Sequence, residues 1–214
     1  MTPTRHLVVF LKAPRLGQVK SRLAADIGPL AALRFYRETG TRLLRRLRRD
    51  RRWRLWLAVT PRSALGARFW EARLPRLDQG RGDLGQRMGR MFRVLPPGPA
   101  VIVGSDIPDI TADHVASAFD ALGASDAVFG PAADGGYWLV GLRRSPRIPA
   151  GLFDRVRWSS ARALADTQAS LPRGFQIALL RKLEDIDDGA AYARWRARVS
   201  RRSRASADAP GGAA

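Results

Sequence analysis

The 214-residue sequence contains no cysteine, which excludes disulfides, thiolate zinc sites and cysteine nucleophiles. Lysine is scarce. Of 38 basic residues only Lys12, Lys20 and Lys182 are lysines, so arginine carries most of a formal charge of +19. Long apolar runs are missing as well. The first, Leu7-Val8-Val9-Phe10-Leu11, ends at Lys12 and is too short for a signal segment or a membrane span, so a soluble cytoplasmic protein is expected. The last absence is local. From Val94 to Leu142, 49 residues hold aspartates 106, 109, 113, 120, 126 and 134 but neither lysine nor arginine.

What is present is a globular composition, 45% hydrophobic, enough to build a sizeable core. Residues 1–199 are expected to form one domain. Residues 200–214, small, polar and Pro-Gly in character, are expected to be a disordered tail. The arginine excess is what a GC-rich coding sequence produces, and its densest cluster, Arg42 to Arg54, reads as the solvated face and end of one helix.

Strands are expected at Leu7–Leu11, Trp53–Thr60, "AVIVG" (100–104), "DAVFGPA" (126–132), "GYWLVGL" (136–142) and "FQIALLRK" (175–182). Helical spacing follows Pro29, and Ser63 can cap a short helix to about Glu71. Further helices are expected over Leu84–Leu95, after a cap at Thr111, over Ser159–Leu171 and in "DDGAAYARWRARVS" (187–200). Alternating strands and helices imply an α/β fold whose mostly parallel sheet is covered on both faces. Ligands in such sheets bind beyond the carboxyl ends of strands, where the polar motifs fall.

"FLKAPRLGQVKSRL" (10–23) runs from strand to helix start with Lys12, Arg15, Lys20 and Arg22 around Gly17. Charge, backbone N–H groups and a helix dipole could together hold phosphates there, although the stretch lacks P-loop spacing. The alternative is a solvated basic loop. "QGRGDLGQRMGRMF" (79–92) offers Gly82 and Gly85 beside Asp83, where a backbone without side chains could approach a base or a ribose. In "AVIVGSDIPDI" (100–110), Asp106 ends a buried strand and suits a hard divalent ion, which takes one or two carboxylates plus substrate phosphates. Asp109 is read as part of the following helix start. With no basic residue in the surrounding segment, the partner expected for Asp106 is a cation from solution. "GPAADGGYWLVGL" (130–142) would hold Asp134 at the same end of the sheet, unless its Gly-Gly is a plain hairpin turn. "LEDIDD" (183–188) could reach the same metal or cap the last helix.

Together these stretches resemble the small bacterial GT-A-type transferases of the nucleotide-diphospho-sugar transferase superfamily, in particular a glycosyltransferase family associated with radical-SAM proteins. The resemblance rests on K-A-P-x-x-G-x-V-K-[ST]-R-L at 12–23, G-D-L-G-x-R-M at 82–88, G-S-D-x-P at 104–108, P-A-x-D-G-G-Y-x-L-x-G-L at 131–142 and L-x-D-I-D at 183–187. It implies a GT-A, Rossmann-like α/β/α sandwich. It further implies Lys12, Gly17, Lys20 and Arg22 on the nucleotide phosphates and Mg²⁺ or Mn²⁺ on Asp106, with Asp187 as a further candidate ligand. The usual D-x-D is replaced by Asp106-Ile-Pro-Asp109, and the late motif departs after Asp187.

The function expected first is metal-dependent transfer from a nucleotide-sugar donor to a small-molecule acceptor, with Asp134 orienting the acceptor or acting as its base. A nucleotidyltransferase that uses an NTP and releases pyrophosphate is the alternative. A basic nucleic-acid-binding protein on a degenerate transferase fold ranks below both, because the reversed charge across 94–142 argues for a small-molecule site rather than a polynucleotide. Nothing in the sequence points to an oligomeric state.

Overall fold

The structure, a computed structural model, describes residues 3–70, 73–144 and 148–207, the last six of them as backbone only. Its centre is a strand buried on both faces. In β1 (His6–Lys12), Leu7, Val8 and Val9 are fully buried, as expected where helices cover both faces of a parallel sheet. On one side β1 pairs in parallel with β2 (Arg54–Thr60), and β2 with the short β3 (Arg76–Asp78). On the other side β1 pairs in parallel with β4 (Ala100–Gly104). Beyond it lie β6 (Tyr137–Leu142), antiparallel to its neighbours, then β5 (Ala127–Pro131) and β7 (Ile177–Leu179). The order β3-β2-β1-β4-β6-β5-β7 makes a mostly parallel seven-stranded sheet. The chain fills one side of β1 first and then crosses to the other. The β1/β4 boundary is therefore the switch point, where the loops part and leave a crevice.

Helices cover both faces. Between α1 (Ser21–Ile27) and α2 (Pro29–Leu47) the chain turns at Gly28, and Pro29 opens α2 without losing a needed N–H. The buried residues of α2, from Ala32, Phe35 and Tyr36 to Leu43, Leu44 and Leu47, recur at helical spacing. Its later part packs with α4 (Ala112–Ala121) on one face of the sheet. The opposite face is covered by α3 (Leu84–Val94) through Met88, Met91 and Phe92, with α5 (Ala163–Ala169) beside it. The last helix, α6 (Gly189–Ala207), docks on α1 and α2 through Ala191, Tyr192 and Trp195 around Leu23 and Phe35.

Several elements differ from expectation. The final helix extends to Ala207, into the stretch expected to be a tail, and residues 208–214 lie outside the described ones. After β2 there is only a single 3₁₀ turn, Arg62–Ala64. The chain there is held by the Trp70 indole donating to the Ala64 carbonyl at 2.6 Å, and Glu71, the expected end of a helix, is outside the described residues. The helix expected from Ser159 begins only at Ala163, because Ser159 takes a left-handed backbone and Ser160 caps a turn through Arg162 N–H. β7 is shorter than the apolar run, since the chain leaves β5 after Leu180 and rejoins it at Leu183, whose N–H donates to the Pro131 carbonyl. No described helix is long and apolar enough to cross a membrane.

Candidate active site

The end of β1 is fixed before any ligand arrives. The Tyr36 hydroxyl, on α2, donates to the Lys12 carbonyl at 3.0 Å, accepts from the Lys12 N–H at 2.9 Å and accepts from Ser105 Oγ at 3.4 Å. One buried phenol thus ties together the ends of β1 and β4, and burial pushes its pKa up, so it stays a neutral donor and acceptor. From Lys12 the chain loops through Gly17 to Lys20, whose φ and ψ of 50° lie in the left-handed region. That turn starts α1 and directs the Lys20 side chain, only 6% exposed, across the crevice.

There the ammonium meets two carboxylates: Lys20 Nζ is 2.9 Å from Asp106 Oδ2 and 2.5 Å from Asp187 Oδ1. Burial alone would lower the lysine pKa, but the charges of Asp106 and Asp187 and their hydrogen bonds outweigh it and raise it. The ammonium is therefore permanently charged. The expected partner of Asp106 was a cation from solution, and the chain itself supplies one from 86 positions earlier. The same holds along the segment that lacks basic residues. Asp109 pairs with Arg198, Asp113 with Arg52, Asp120 with Arg5 and Asp126 with Arg143, all from outside it. The charge reversal visible in sequence is largely cancelled in space.

Asp134 is the exception. It carries no ion pair among the described residues, is exposed, and accepts the Gly136 N–H at 2.9 Å in the turn joining antiparallel β5 and β6. The Gly-Gly is thus a hairpin turn, and it sets Asp134 at the end of the sheet where β4 finishes and β6 begins. Gly135 has φ +87° and a Cβ there would lie 2.3 Å from the Ala161 carbonyl oxygen, so no other residue fits. Behind it, burial and then the charges of Asp134 and Asp187 push the Asp185 carboxyl up to about 6. The end of the sheet is rich in negative charge that one lysine does not neutralise.

Lys12, Lys20, Tyr36, Ser105 and Asp106 border a cleft of about 510 Å³ along the ends of β1 and β4, whereas Asp134, Asp185 and Asp187 lie outside its lining. Lys12, Lys20, Ser105 and Asp106 form its polar end, and Thr60, Gln79, Arg87 and Met88 line the other. Gln79, 3% exposed, donates its amide hydrogens to the Leu11 and Ala58 carbonyls at 3.2 and 2.8 Å, and its Oε1 accepts from Arg87 Nη1 at 3.3 Å. Sequence reading missed Tyr36, Gln79 and Arg87. Gln79 follows a strand too short to be seen in the sequence, and Tyr36 is indistinguishable from a core position on an amphipathic helix.

Residues of the glycine motif have other tasks. Asp83 caps α3, accepting the Gln86 N–H while Gln86 Oε1 accepts the Asp83 N–H. Gly82, at φ +103°, shapes that start, and Gly85 is buried where a Cβ would lie 2.7 Å from Phe153 Cβ and Trp158 Cζ2. None of Gly82, Asp83 and Gly85 lines the cleft, nor do Gly17 and Arg22, while Leu84 does. The spacing Gly80-x-Gly82-x-x-Gly85 matches a dinucleotide fingerprint, yet the Gln86 amide in the first turn of α3 already donates to the Asp83 carboxylate, whose charge opposes an incoming phosphate. The basic cluster of α2 is in part structural, with Arg46 donating to the Ile110 carbonyl and Arg42 paired to Glu38 at 3.6 Å.

Asp106 and Asp187 are the residues that could hold a hard divalent ion at the polar end. Two carboxylate oxygens from separate loops converge on one cationic nitrogen, and the aspartate side chains are 40% and 42% exposed, leaving room for water and phosphate ligands. No cage of three or more His, Cys, Asp or Glu groups exists among the described residues, and Mg²⁺ held with substrate phosphates does not need one.

Residues 43–160 match the family described as an uncharacterized protein conserved in bacteria, DUF2064. The chain belongs to the DUF2064 family. That match includes Asp106 and Asp134. No protein of curated function matches this DUF2064 chain in sequence. Its fold is that of a nucleotide-diphospho-sugar transferase-like protein. A Desulfovibrio desulfuricans G20 structure provisionally named as such a transferase is 27% identical over 86% of this chain and 82% of its own, with a TM-score of 0.76. The 4-diphosphocytidyl-2C-methyl-D-erythritol synthase of Anaerococcus prevotii DSM 20548 shares the fold at 8% identity, over 92% and 99% of the two chains, with a TM-score of 0.60. So does Rv0371c of Mycobacterium tuberculosis H37Rv, solved in complex with manganese, at 16% identity over 91% and 98%, with a TM-score of 0.55.

Proposed function

We propose that this DUF2064 protein is a cytoplasmic glycosyltransferase that moves a sugar from a nucleoside-diphosphate donor to a small-molecule acceptor with the help of Mg²⁺ or Mn²⁺. The observation that carries the reading is the convergence of Lys20, Asp106 and Asp187 at the switch-point crevice, at one end of a cleft of nucleotide size. In this reading Lys12 and Lys20 bind the diphosphate, and Gly17 and Arg22 shape the loop that presents them. Asp106 and Asp187 hold the cation, which when bound offsets the charge that builds on the departing nucleoside diphosphate. The base and ribose occupy the end formed by Gln79, Arg87 and Met88, with the α3 start around Gly82, Asp83 and Gly85 as its scaffold. Asp134, which has no ion pair among the described residues, would take the proton of an acceptor hydroxyl.

The second reading, nucleotidyl transfer from an NTP, is favoured by Lys12, a second ammonium at the polar end beyond what a metal-bound diphosphate requires. It does not need Asp134, because an attacking phosphate is already ionised. A thermal-shift panel of nucleoside diphosphates, nucleotide sugars and NTPs, with and without Mn²⁺, tests both. Metal-dependent stabilisation by a nucleotide sugar, lost in Asp106→Asn without loss of fold, supports the first reading. Pyrophosphate release from an NTP selects the second, and no nucleotide response under any condition removes both.

A further inference from the structure

We propose that Lys20 and the divalent cation are mutually exclusive occupants of one position between Asp106 and Asp187, so that the metal enters with the nucleotide and not ahead of it. The inference rests on the proposed reading that the cleft takes a metal-bound nucleotide, and it goes further by naming the residue that couples the two ligands.

The geometry carries it. A divalent ion bound by Asp106 and Asp187 needs an oxygen from each at about 2.0–2.6 Å, whichever of the hard cations it is. The oxygens of the two aspartates that come together across the crevice are Asp106 Oδ2 and Asp187 Oδ1, and the point between them is held by Lys20 Nζ, at 2.9 and 2.5 Å. Two cations cannot share that point. Lys20 cannot simply withdraw into water either, because its side chain is 6% exposed and its described hydrogen-bond partners are those two carboxylates. A metal that took both aspartates would strand a buried ammonium, which is costly unless another anion replaces them. Phosphate oxygens are such an anion, and Lys20 lines the cleft beside Lys12, Ser21 and Ser105, where they would lie. The aspartates do not need Lys20 to stay in place. The loops that carry them are joined a second time by Arg198, which donates to Glu184 Oε2 at 2.8 Å and to Asp109 Oδ2 at 3.4 Å.

Binding of Mn²⁺ alone to the full-length protein, read from the loss of the free-ion EPR signal, tests this. Lys20→Met is expected to bind Mn²⁺ at least tenfold more tightly than the wild type in the absence of nucleotide. Lys20→Arg, which keeps a cation in place, is expected to show no such gain. Adding Asp106→Asn to Lys20→Met should abolish it. Lys20→Gln serves the same purpose if Lys20→Met does not give the wild-type circular dichroism spectrum. Equal Mn²⁺ affinity in the wild type and in the folded neutral variant overturns the proposal. The nucleotide panel separates this from the function. A gain in Mn²⁺ affinity with no nucleotide binding upholds the shared position and removes the transferase reading. Metal-dependent nucleotide binding without the gain does the reverse.

Discussion

Two basic side chains join the same pair of loops in different ways. The loop after β4 presents Asp106 and Asp109, and the loop before α6 presents Glu184 and Asp187. Lys20 bridges Asp106 to Asp187, and Arg198 bridges Asp109 to Glu184. The Arg198 side chain is 32% exposed and Arg194 also donates to Glu184, at 2.9 and 2.7 Å. The outer bridge is a planar, multiply bonded clamp of the kind that arginine makes well. The inner bridge is a compact ammonium at the wall of the cleft, itself 6% exposed between two half-exposed carboxylates. In a chain that uses lysine at only three of 38 basic positions, the inner bridge is lysine. The difference separates holding from exchange. A guanidinium fork fixes two carboxylates, whereas a single point charge can be traded for another.

The largest expected effect comes from breaking the inner bridge on its acid side. Asp106→Asn removes one charge from the cation position and leaves Lys20 on Asp187 alone, so metal-dependent nucleotide affinity should fall at least tenfold by titration calorimetry. Thermal stability should change little, because Asp106 is 40% exposed and its partner keeps a second carboxylate. Next comes Lys20→Arg, which places the outer kind of clamp in the inner position. It preserves charge, yet a fork that engages both aspartates releases them less readily and matches phosphate differently from a point charge. Nucleotide affinity in Mn²⁺ should drop several-fold while the melting temperature stays near the wild-type value.

The sequence was informative about the parts that follow periodicity. The burial of β1, the later part of the α2 face and the Thr111 cap of α4 appear where spacing placed them, with Thr111 accepting the His114 N–H at 3.2 Å, whereas Leu30, expected on the buried face of α2, is exposed. β3 was missed because three residues, Arg-Leu-Asp, are too few to show alternation. The antiparallel insertion of β6 between β4 and β5 was not visible either, since a buried strand has the same composition in either direction. At the site, Lys20 and Asp106 were legible as chemistry, but their contact was not. The local excess of aspartate suggested a partner from solution, and the fold supplied Lys20 and three arginines from distant segments, with Arg143 from the position just after the segment. Asp109, read as part of a helix start, faces Arg198 instead. Linear charge patterning reports which residues need partners and not where those partners are.

The smallest expected effect, and the one that sharpens the contrast most, comes from the outer bridge. Arg198→Gln removes its charge, but Glu184 keeps Arg194 and the bridge is partly exposed, so the loss of stability at pH 7 should be about 0.5 kcal/mol. The sign with pH is fixed by Glu184. Hydrogen bonds from Arg198 and then Arg194 hold its pKa below the usual 4.5, so its share of stability is present above that value and is lost as pH falls through the lowered one. Urea unfolding should therefore show the variant weaker than the wild type at pH 7 and the two converging in acid, once Glu184 is protonated. Mn²⁺ and nucleotide affinities of Arg198→Gln should stay within about twofold of the wild type, a free-energy change of about 0.4 kcal/mol. A larger loss, comparable with that of Lys20→Arg, would mean that both bridges position the cation, and the separation between holding and exchange would fail.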